Sequence, residues 1–138
     1  MSTKLRERQE KIELLLEELC AESDSGVPII VEGRKDMETL RNLGVHGKIV
    51  MAKTGGKSRL DLISDIENGC ASKVILLLDF DRRGREWTAF LQEALEKSRV
   101  KTDVLFRRQL RRLAGKEVKD VEGLAGFLET LTRKVNQV

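Results

Sequence analysis

The chain has 138 residues, of which 40% are hydrophobic and 36% charged, and its formal net charge is +3. This length suits one domain with a substantial core and is too short for two. No apolar run approaches the length of a signal core or a membrane span, and the two cysteines lack zinc-ligand spacing. We therefore expect a cytoplasmic protein without a membrane segment or a zinc site, and the mild positive charge permits a nucleic-acid partner.

Apolar periodicity predicts an alternation of helices and strands along the chain. An amphipathic helix over residues 3–21 comes first, within an N-terminal segment (1–22) that we expect to pack on the rest of the domain. Four strands then alternate with three helices, and two further helices close the chain. The strands are predicted at 26–32, 48–52, 73–78 and 102–106, and the helices at 34–43, 58–68, 85–97, 107–114 and 121–135.

This order of elements predicts an α/β fold with a four-stranded parallel sheet and helices on both faces. The near-continuous apolar run at 74–78 supports it, because a strand covered on both faces has no polar side. We predict the strand order 2-1-3-4, which places the first and third strands side by side at the topological switch point. The closing helices, within residues 107–138, are expected to belong to the same single domain.

Three carboxylates follow the two strands that meet at this switch point. Glu32 ends the first strand, and Asp79 and Asp81 end the third. Residues at i and i+2 of an extended chain project to the same side, about 7 Å apart. Ligands bind at the carboxyl ends of parallel strands, so the three side chains should converge in one crevice.

Carboxylates held close together disfavour joint ionisation unless a cation lies among them. Mg²⁺ takes one or two carboxylates and keeps waters or phosphate oxygens in its other positions, and Mn²⁺ is a second candidate. The alternative is that Asp79 and Asp81 only cap the following helix. Capping needs one acid, whereas this crevice offers three.

Three sequence segments together resemble a known family: IIVEGRKD (29–36), TGG (54–56) and LDFDRRG (78–84). They are similar, in this order, to the signatures of the Toprim domain, a Rossmann-like module of topoisomerases, bacterial primases, OLD-type nucleases and 5S ribosomal RNA maturases. The likeness covers about residues 26–106 and is greatest to small stand-alone Toprim proteins of archaea and some bacteria.

The resemblance implies roles for the matching residues. Glu32 matches the family's glutamate, which is proposed to act as general acid or base and lies at the metal site. Asp79 and Asp81 match the pair that coordinates Mg²⁺, and Gly84 matches the glycine that closes the loop. The chain contains no tyrosine, the nucleophile of topoisomerases, so we expect no self-sufficient topoisomerase. We also do not expect complete primase activity, because these 138 residues do not show the additional segments of primases; nor do they show the ATPase part of OLD-type nucleases.

Basic residues near these motifs are candidates for nucleic-acid binding. The glycine loop carries Lys53 and Lys57, and its amide groups could hold a phosphate, although an ordinary tight turn explains the glycines equally well. The arginine candidates form two groups, one beside the acids and one on a predicted helix face, where a solvated face is the alternative. The groups are Arg82, Arg83 and Arg85, and Arg107, Arg108, Arg111 and Arg112.

The leading hypothesis is therefore Mg²⁺-dependent chemistry on nucleic-acid phosphodiesters, by a small nuclease or an RNA- or DNA-processing protein. The alternative is a non-catalytic Toprim subunit that binds nucleic acid within a larger processing assembly. A phosphatase with an aspartate nucleophile is disfavoured, because arginines rather than a hydroxyl residue follow the acid pair.

Overall fold

The computed structural model describes residues 2–53, 55–56 and 58–137. Helices and strands alternate through the middle of the chain, as the periodicity predicts. The strands are β1 (Ile29–Val31), β2 (Ile49–Met51), β3 (Lys73–Leu76) and β4 (Lys101–Asp103). The helices are α1 (Ser2–Asp24), α2 (Arg34–Asn42), α3 (Arg59–Asn68), α4 (Arg82–Lys97), α5 (Leu105–Ala114) and α6 (Val121–Asn136).

The four strands form one parallel sheet in the order β2-β1-β3-β4. In its centre Ile29 is aligned with Ile49 of β2 on one side and with Ile75 of β3 on the other. The predicted α/β fold and strand order are confirmed. Since β1 and β3 are neighbours, the chain reverses its direction of winding between them, and their carboxyl ends border the crevice at the switch point.

Successive residues of the central strands supply two separate cores, because side chains alternate between the faces of a sheet. Ile29 and Ile75 belong to a cluster with apolar residues of α1, α2, α5 and α6. Ile30 and Leu76 belong to a second cluster with residues of α3 and α4. Each face of the sheet is therefore covered by helices, which explains why these strands carry no polar alternation.

All four strands are shorter than predicted, and the fourth differs at its carboxyl end. It ends at Asp103, and the chain enters α5 at Leu105, whereas the sequence favours a strand through Phe106. The Asp103 carboxylate accepts a hydrogen bond from the Leu105 amide at 2.9 Å, which turns the backbone away from the sheet. Phe106 is buried from within the helix instead.

Helix α1 runs three residues beyond the predicted segment, to Asp24. Its apolar side contributes Ile12 and Leu19, both fully buried, to the core that it shares with α5 and α6. Ser23, near its end, is 2% exposed and accepts a hydrogen bond from the Gly47 amide at 2.9 Å. None of the helices that the structure describes is both long and apolar enough to cross a membrane.

Candidate metal centre

The three predicted carboxylates meet at the carboxyl ends of β1 and β3. One oxygen atom from each of Glu32, Asp79 and Asp81 lies within 4.8 Å of the other two. Glu32 is buried, Asp79 is half-buried and Asp81 is exposed, so the cluster opens from the interior of the crevice to solvent. The parallel sheet produces this meeting, because it aligns the ends of two strands that are 47 residues apart in the sequence.

Glu32 is held from both sides. Its side chain is 5% exposed, and the Oε1 atom accepts a hydrogen bond from the Asp79 amide at 3.4 Å. Its Oε2 atom lies 3.3 Å from the Nζ atom of Lys53. The Lys53 amide also donates to the Glu32 carbonyl at 2.8 Å, so strand pairing continues past β1 and β2 and brings the lysine to the site. Lys53, predicted to bind phosphate, is an ion-pair partner of Glu32 in this structure.

Asp79 carries the most perturbed carboxyl group of the site. Burial raises its pKa to about 8, aided by a hydrogen bond with Glu32 and by the negative charge of that residue. The more distant charges of Asp36 and Asp120 act in the same direction. Neighbouring acids and burial thus favour the protonated form of Asp79 at neutral pH when no cation is bound.

Asp81 is both a member of the cluster and a helix cap. Its Oδ1 atom accepts a hydrogen bond from the Gly84 amide at 2.8 Å, and α4 begins at Arg82 rather than at the predicted residue 85. The second oxygen of the carboxylate is not needed for this cap. The capping alternative therefore describes Asp81 correctly and leaves Asp79 unexplained.

The glycine in the first turn of α4 is required by close packing. A Cβ atom on Gly84 would overlap the carbonyl oxygen of Asp79 and lie 3.0 Å from its Cα atom. The first turn of the helix therefore sits directly against the loop that carries the acids. Thr88 fixes the same turn, since its hydroxyl donates to the Gly84 carbonyl at 2.6 Å.

Two arginines of α5 hold the backbone of the acid loop (residues 79–81). Arg107 donates from Nε and Nη2 to the Asp79 carbonyl at 3.1 and 2.8 Å, and from Nη2 to the Asp81 carbonyl at 3.5 Å. Arg111, one turn later, donates from Nε to the Phe80 carbonyl at 3.2 Å. Arginine side chains of α5 thus contact all three loop carbonyls. Phe80 packs its side chain into the core.

This position of Arg107 differs from the predicted one. The spacing places four arginines on one solvent-exposed face, but Arg107 is only 8% exposed. Its pKa is lowered, chiefly by burial and next by the charge of Arg111. The sequence could not indicate this, because the carbonyls that it binds come from a loop 26 to 28 residues earlier.

Two further acids border the site and carry no predicted role there. Asp36 is 7% exposed and accepts hydrogen bonds from the Gly33 amide at 3.2 Å and from the Glu122 amide at 3.1 Å. Asp120 is the N-cap of α6, and its Oδ1 atom accepts a hydrogen bond from the Gly123 amide at 2.7 Å. Both carboxylates contribute to the negative potential at Asp79, so the start of α6 is part of the electrostatic surroundings of the cluster.

The remaining predicted binding residues lie around this centre. Arg82 pairs with Glu86 at 3.1 Å on the exposed side of α4. Lys57 lies outside the described residues. Four further arginines are exposed to solvent, namely Arg83, Arg85, Arg108 and Arg112.

The donor set fits a hard divalent cation. It consists of three carboxyl groups, and burial together with the charge of neighbouring acids raises the pKa of one of them, Asp79. A cation among these oxygens would offset their repulsion and favour the ionised form of Asp79. Glu32, Asp79 and Asp81 are the residues that would hold it.

Comparison with known proteins agrees with this geometry. A family model for the Toprim domain matches residues 27–106. A UPF0292 protein of Methanosarcina acetivorans is 37% identical over 133 residues, which cover 94% of this chain and 88% of the relative. A UPF0292 protein of Methanocaldococcus jannaschii is 36% identical over 86% of this chain and 91% of its own length.

A solved structure described as a putative protein from Aquifex aeolicus has a similar fold. The two superpose with a TM-score of 0.66 at 28% sequence identity, over 79% of this chain and 94% of the other. The region matched by the family model contains the acid loop and the strands that position it. On these grounds the chain belongs to the Toprim domain family, and the relatives that it matches over most of their length are UPF0292 proteins.

Proposed function

We propose that this protein is a Mg²⁺-dependent enzyme that acts on nucleic-acid phosphodiesters, and that it is a small nuclease. Membership of the Toprim family implies a metal-dependent function related to nucleic acids. The observation that carries the proposal is the convergence of Glu32, Asp79 and Asp81 within 4.8 Å of one another. Mn²⁺ is expected to substitute for Mg²⁺, since both prefer oxygen ligands.

A divalent cation in a site of this kind polarises a phosphoryl oxygen and lowers the pKa of a bound water. Asp79 and Asp81 are assigned as its ligands. Glu32 has a second proposed role, which is to move a proton to or from the reacting oxygen as one P–O bond forms and another breaks. Lys53, 3.3 Å from the Glu32 carboxylate, would hold that side chain in place through the reaction.

Nucleic acid is the proposed partner because cations surround the acids. Arg83 and Arg85 lie in the first turn of α4, beside the acid loop, and Arg108 and Arg112 are exposed on α5. Guanidinium groups suit phosphate recognition because their donors match its oxygens in pairs. Only 4% of the residues are aromatic, which favours binding through backbone charge over stacking on bases.

The test is cleavage of labelled RNA and DNA, single-stranded and duplex, with Mg²⁺, with Mn²⁺ and with EDTA. We expect cleavage with either metal and none in EDTA. Glu32→Gln and Asp79→Asn should each reduce the rate by at least about 100-fold, the usual contribution of a general acid or base. Glu93→Gln, an exposed carboxylate paired with Lys97 on α4, is the matched control and should leave the rate unchanged.

Cleavage that persists in both site variants would contradict the proposal, because it would come from another site or another protein. Tight binding of nucleic acid by a folded wild type that cleaves none of these substrates would favour the alternative of a non-catalytic subunit. In that case a protein partner within a processing complex should co-purify in a fixed ratio from native extract.

A further inference from the structure

A groove between α4 and α5 lies next to the acid loop and has a volume of about 270 Å³. Four of the residues that line it are arginines: Arg85 from α4, and Arg107, Arg108 and Arg111 from α5. None of its lining residues is acidic. A groove with this composition is lined by positive charge.

The charges in this groove contrast with those of other arginines on the surface. Arg8, Arg34 and Arg82 each pair with a glutamate at 2.6 to 3.1 Å. Within the part of the chain that the structure describes, none of the four groove arginines has such an ion pair. Clustered guanidinium groups without an acidic partner repel one another, and an anion removes that repulsion.

The four arginines fall into two pairs with different contacts. Arg107 and Arg111 donate to the carbonyls of the acid loop, and these hydrogen bonds fix the orientation of both side chains. Arg85 and Arg108 are exposed, and among the described residues their guanidinium groups donate no hydrogen bond within the protein. The guanidinium groups of Arg85 and Arg108 are therefore available to bind a ligand, while those of Arg107 and Arg111 are held by the acid loop.

One residue, Arg107, connects the groove with the metal centre. Arg107 lines the groove and holds the Asp79 carbonyl, while the Asp79 carboxyl group belongs to the acid cluster. An anion in the groove is thus a near neighbour of any phosphodiester at the carboxylates. This proximity favours a second phosphate of the same chain over a separate small ligand.

We propose that the groove between α4 and α5 binds a phosphate of the nucleic-acid chain next to the phosphodiester that reacts, with Arg85 and Arg108 as its principal ligands. This inference rests on the proposed function and adds to it the location of a substrate subsite. The subsite reads the sugar–phosphate backbone and carries no base specificity.

The experiment measures the affinity of the full chain for fluorescently labelled single-stranded RNA and DNA in EDTA, across a range of salt concentrations. Arg85→Ala and Arg108→Ala should each weaken binding by about 3- to 10-fold at low salt. Each should also reduce the slope of log affinity against log salt by about 0.7, the value for one phosphate contact of a single strand. Arg6→Ala is the matched control, because Arg6 is an exposed arginine on α1, outside the groove, and has no proposed role in nucleic-acid binding. It should change the affinity less than twofold.

Equal losses in all three variants would overturn the proposal, since they would reflect overall charge and not the groove. Unchanged binding in Arg85→Ala and Arg108→Ala would overturn it as well. A groove that serves a small phosphate ligand would instead show a rise in melting temperature with inorganic phosphate, absent in Arg108→Ala, and no effect of either variant on oligonucleotide binding. That result also contradicts the proposal.

The binding experiment can succeed or fail independently of the cleavage experiment that tests the proposed function. Binding that depends on Arg85 and Arg108 in a protein that cleaves nothing would refute the nuclease and keep the subsite. Metal-dependent cleavage with oligonucleotide affinity independent of both arginines would keep the nuclease and refute the subsite. Both residues are exposed, so the variants are expected to fold, and melting curves check this.

Discussion

Replacement of Asp79 by asparagine should stabilise the metal-free protein at alkaline pH. The pKa of this carboxyl group is raised to about 8, first by burial and then by Glu32 through a hydrogen bond and its charge, with Asp36 and Asp120 adding to the effect. Asparagine has the same shape and no charge. It removes the repulsion within the acid cluster and keeps a polar group at the position.

The sign of the pH dependence follows from the proton balance. The unfolded chain loses the Asp79 proton near pH 3.8, and the folded chain keeps it until about pH 8. Folding therefore becomes less favourable as the pH rises through this window, and the loss is complete above it. The shift corresponds to about 6 kcal/mol at most. Because the side chain is only half-buried, solvent screening reduces the expected loss to about 2 kcal/mol.

Urea denaturation in EDTA at pH 5 and pH 9 measures this effect. Asp79→Asn should exceed the wild type in free energy of unfolding by about 2 kcal/mol at pH 9, and most of that gain should disappear at pH 5. Asp24→Asn changes an exposed aspartate at the end of α1 and serves as control. An Asp79→Asn protein that is no more stable than the wild type at pH 9 would refute the reasoning.

Two further substitutions test how the acid loop is held. Arg107→Lys should lower the free energy of unfolding by about 1 to 3 kcal/mol, because one ammonium group cannot replace the paired donors to the Asp79 carbonyl. Urea denaturation should show a much smaller change for the exposed control, Arg108→Lys. Equal changes in the two variants would contradict the role of Arg107. Gly84→Ala should lower the melting temperature and weaken metal binding, since its Cβ atom would overlap the acid loop. In the control, Gly126→Ala, no atom lies within 4 Å of the new Cβ, so the free energy of unfolding should rise by up to about 1 kcal/mol. If Gly84→Ala were stabilised in the same way, the close packing at Gly84 would not be essential.

The parts of the structure that the sequence predicts are those governed by local periodicity and by the topology of parallel sheets. The apolar run before Asp79 indicates a strand covered on both faces, and alternation with helices makes the sheet parallel. The carboxyl ends of neighbouring strands then fall together, which brings Glu32 to the two aspartates without any knowledge of side-chain contacts.

The parts that escaped prediction depend on contacts between remote segments. Helical spacing assigns Arg107 to a charged face, but only the folded chain shows that loop carbonyls from residues 79 and 81 take up its donors. Lys53 likewise reaches Glu32 through strand pairing 21 residues away. The role of Asp81 was ambiguous for a different reason, because aspartate suits both helix capping and metal binding. The structure allows both roles.

The most direct test of the metal centre is calorimetric titration of the wild type and of Asp81→Asn with Mg²⁺ and Mn²⁺ above pH 8, where Asp79 is ionised. Asparagine is as good an N-cap as aspartate, so this variant loses a charged ligand and keeps the hydrogen bond to the Gly84 amide. We expect saturable binding of either metal by the wild type and at least a tenfold weaker affinity in the variant. A folded wild type that gives no metal-dependent heat and no metal-dependent rise in melting temperature would contradict the assignment of Glu32, Asp79 and Asp81 as a metal centre.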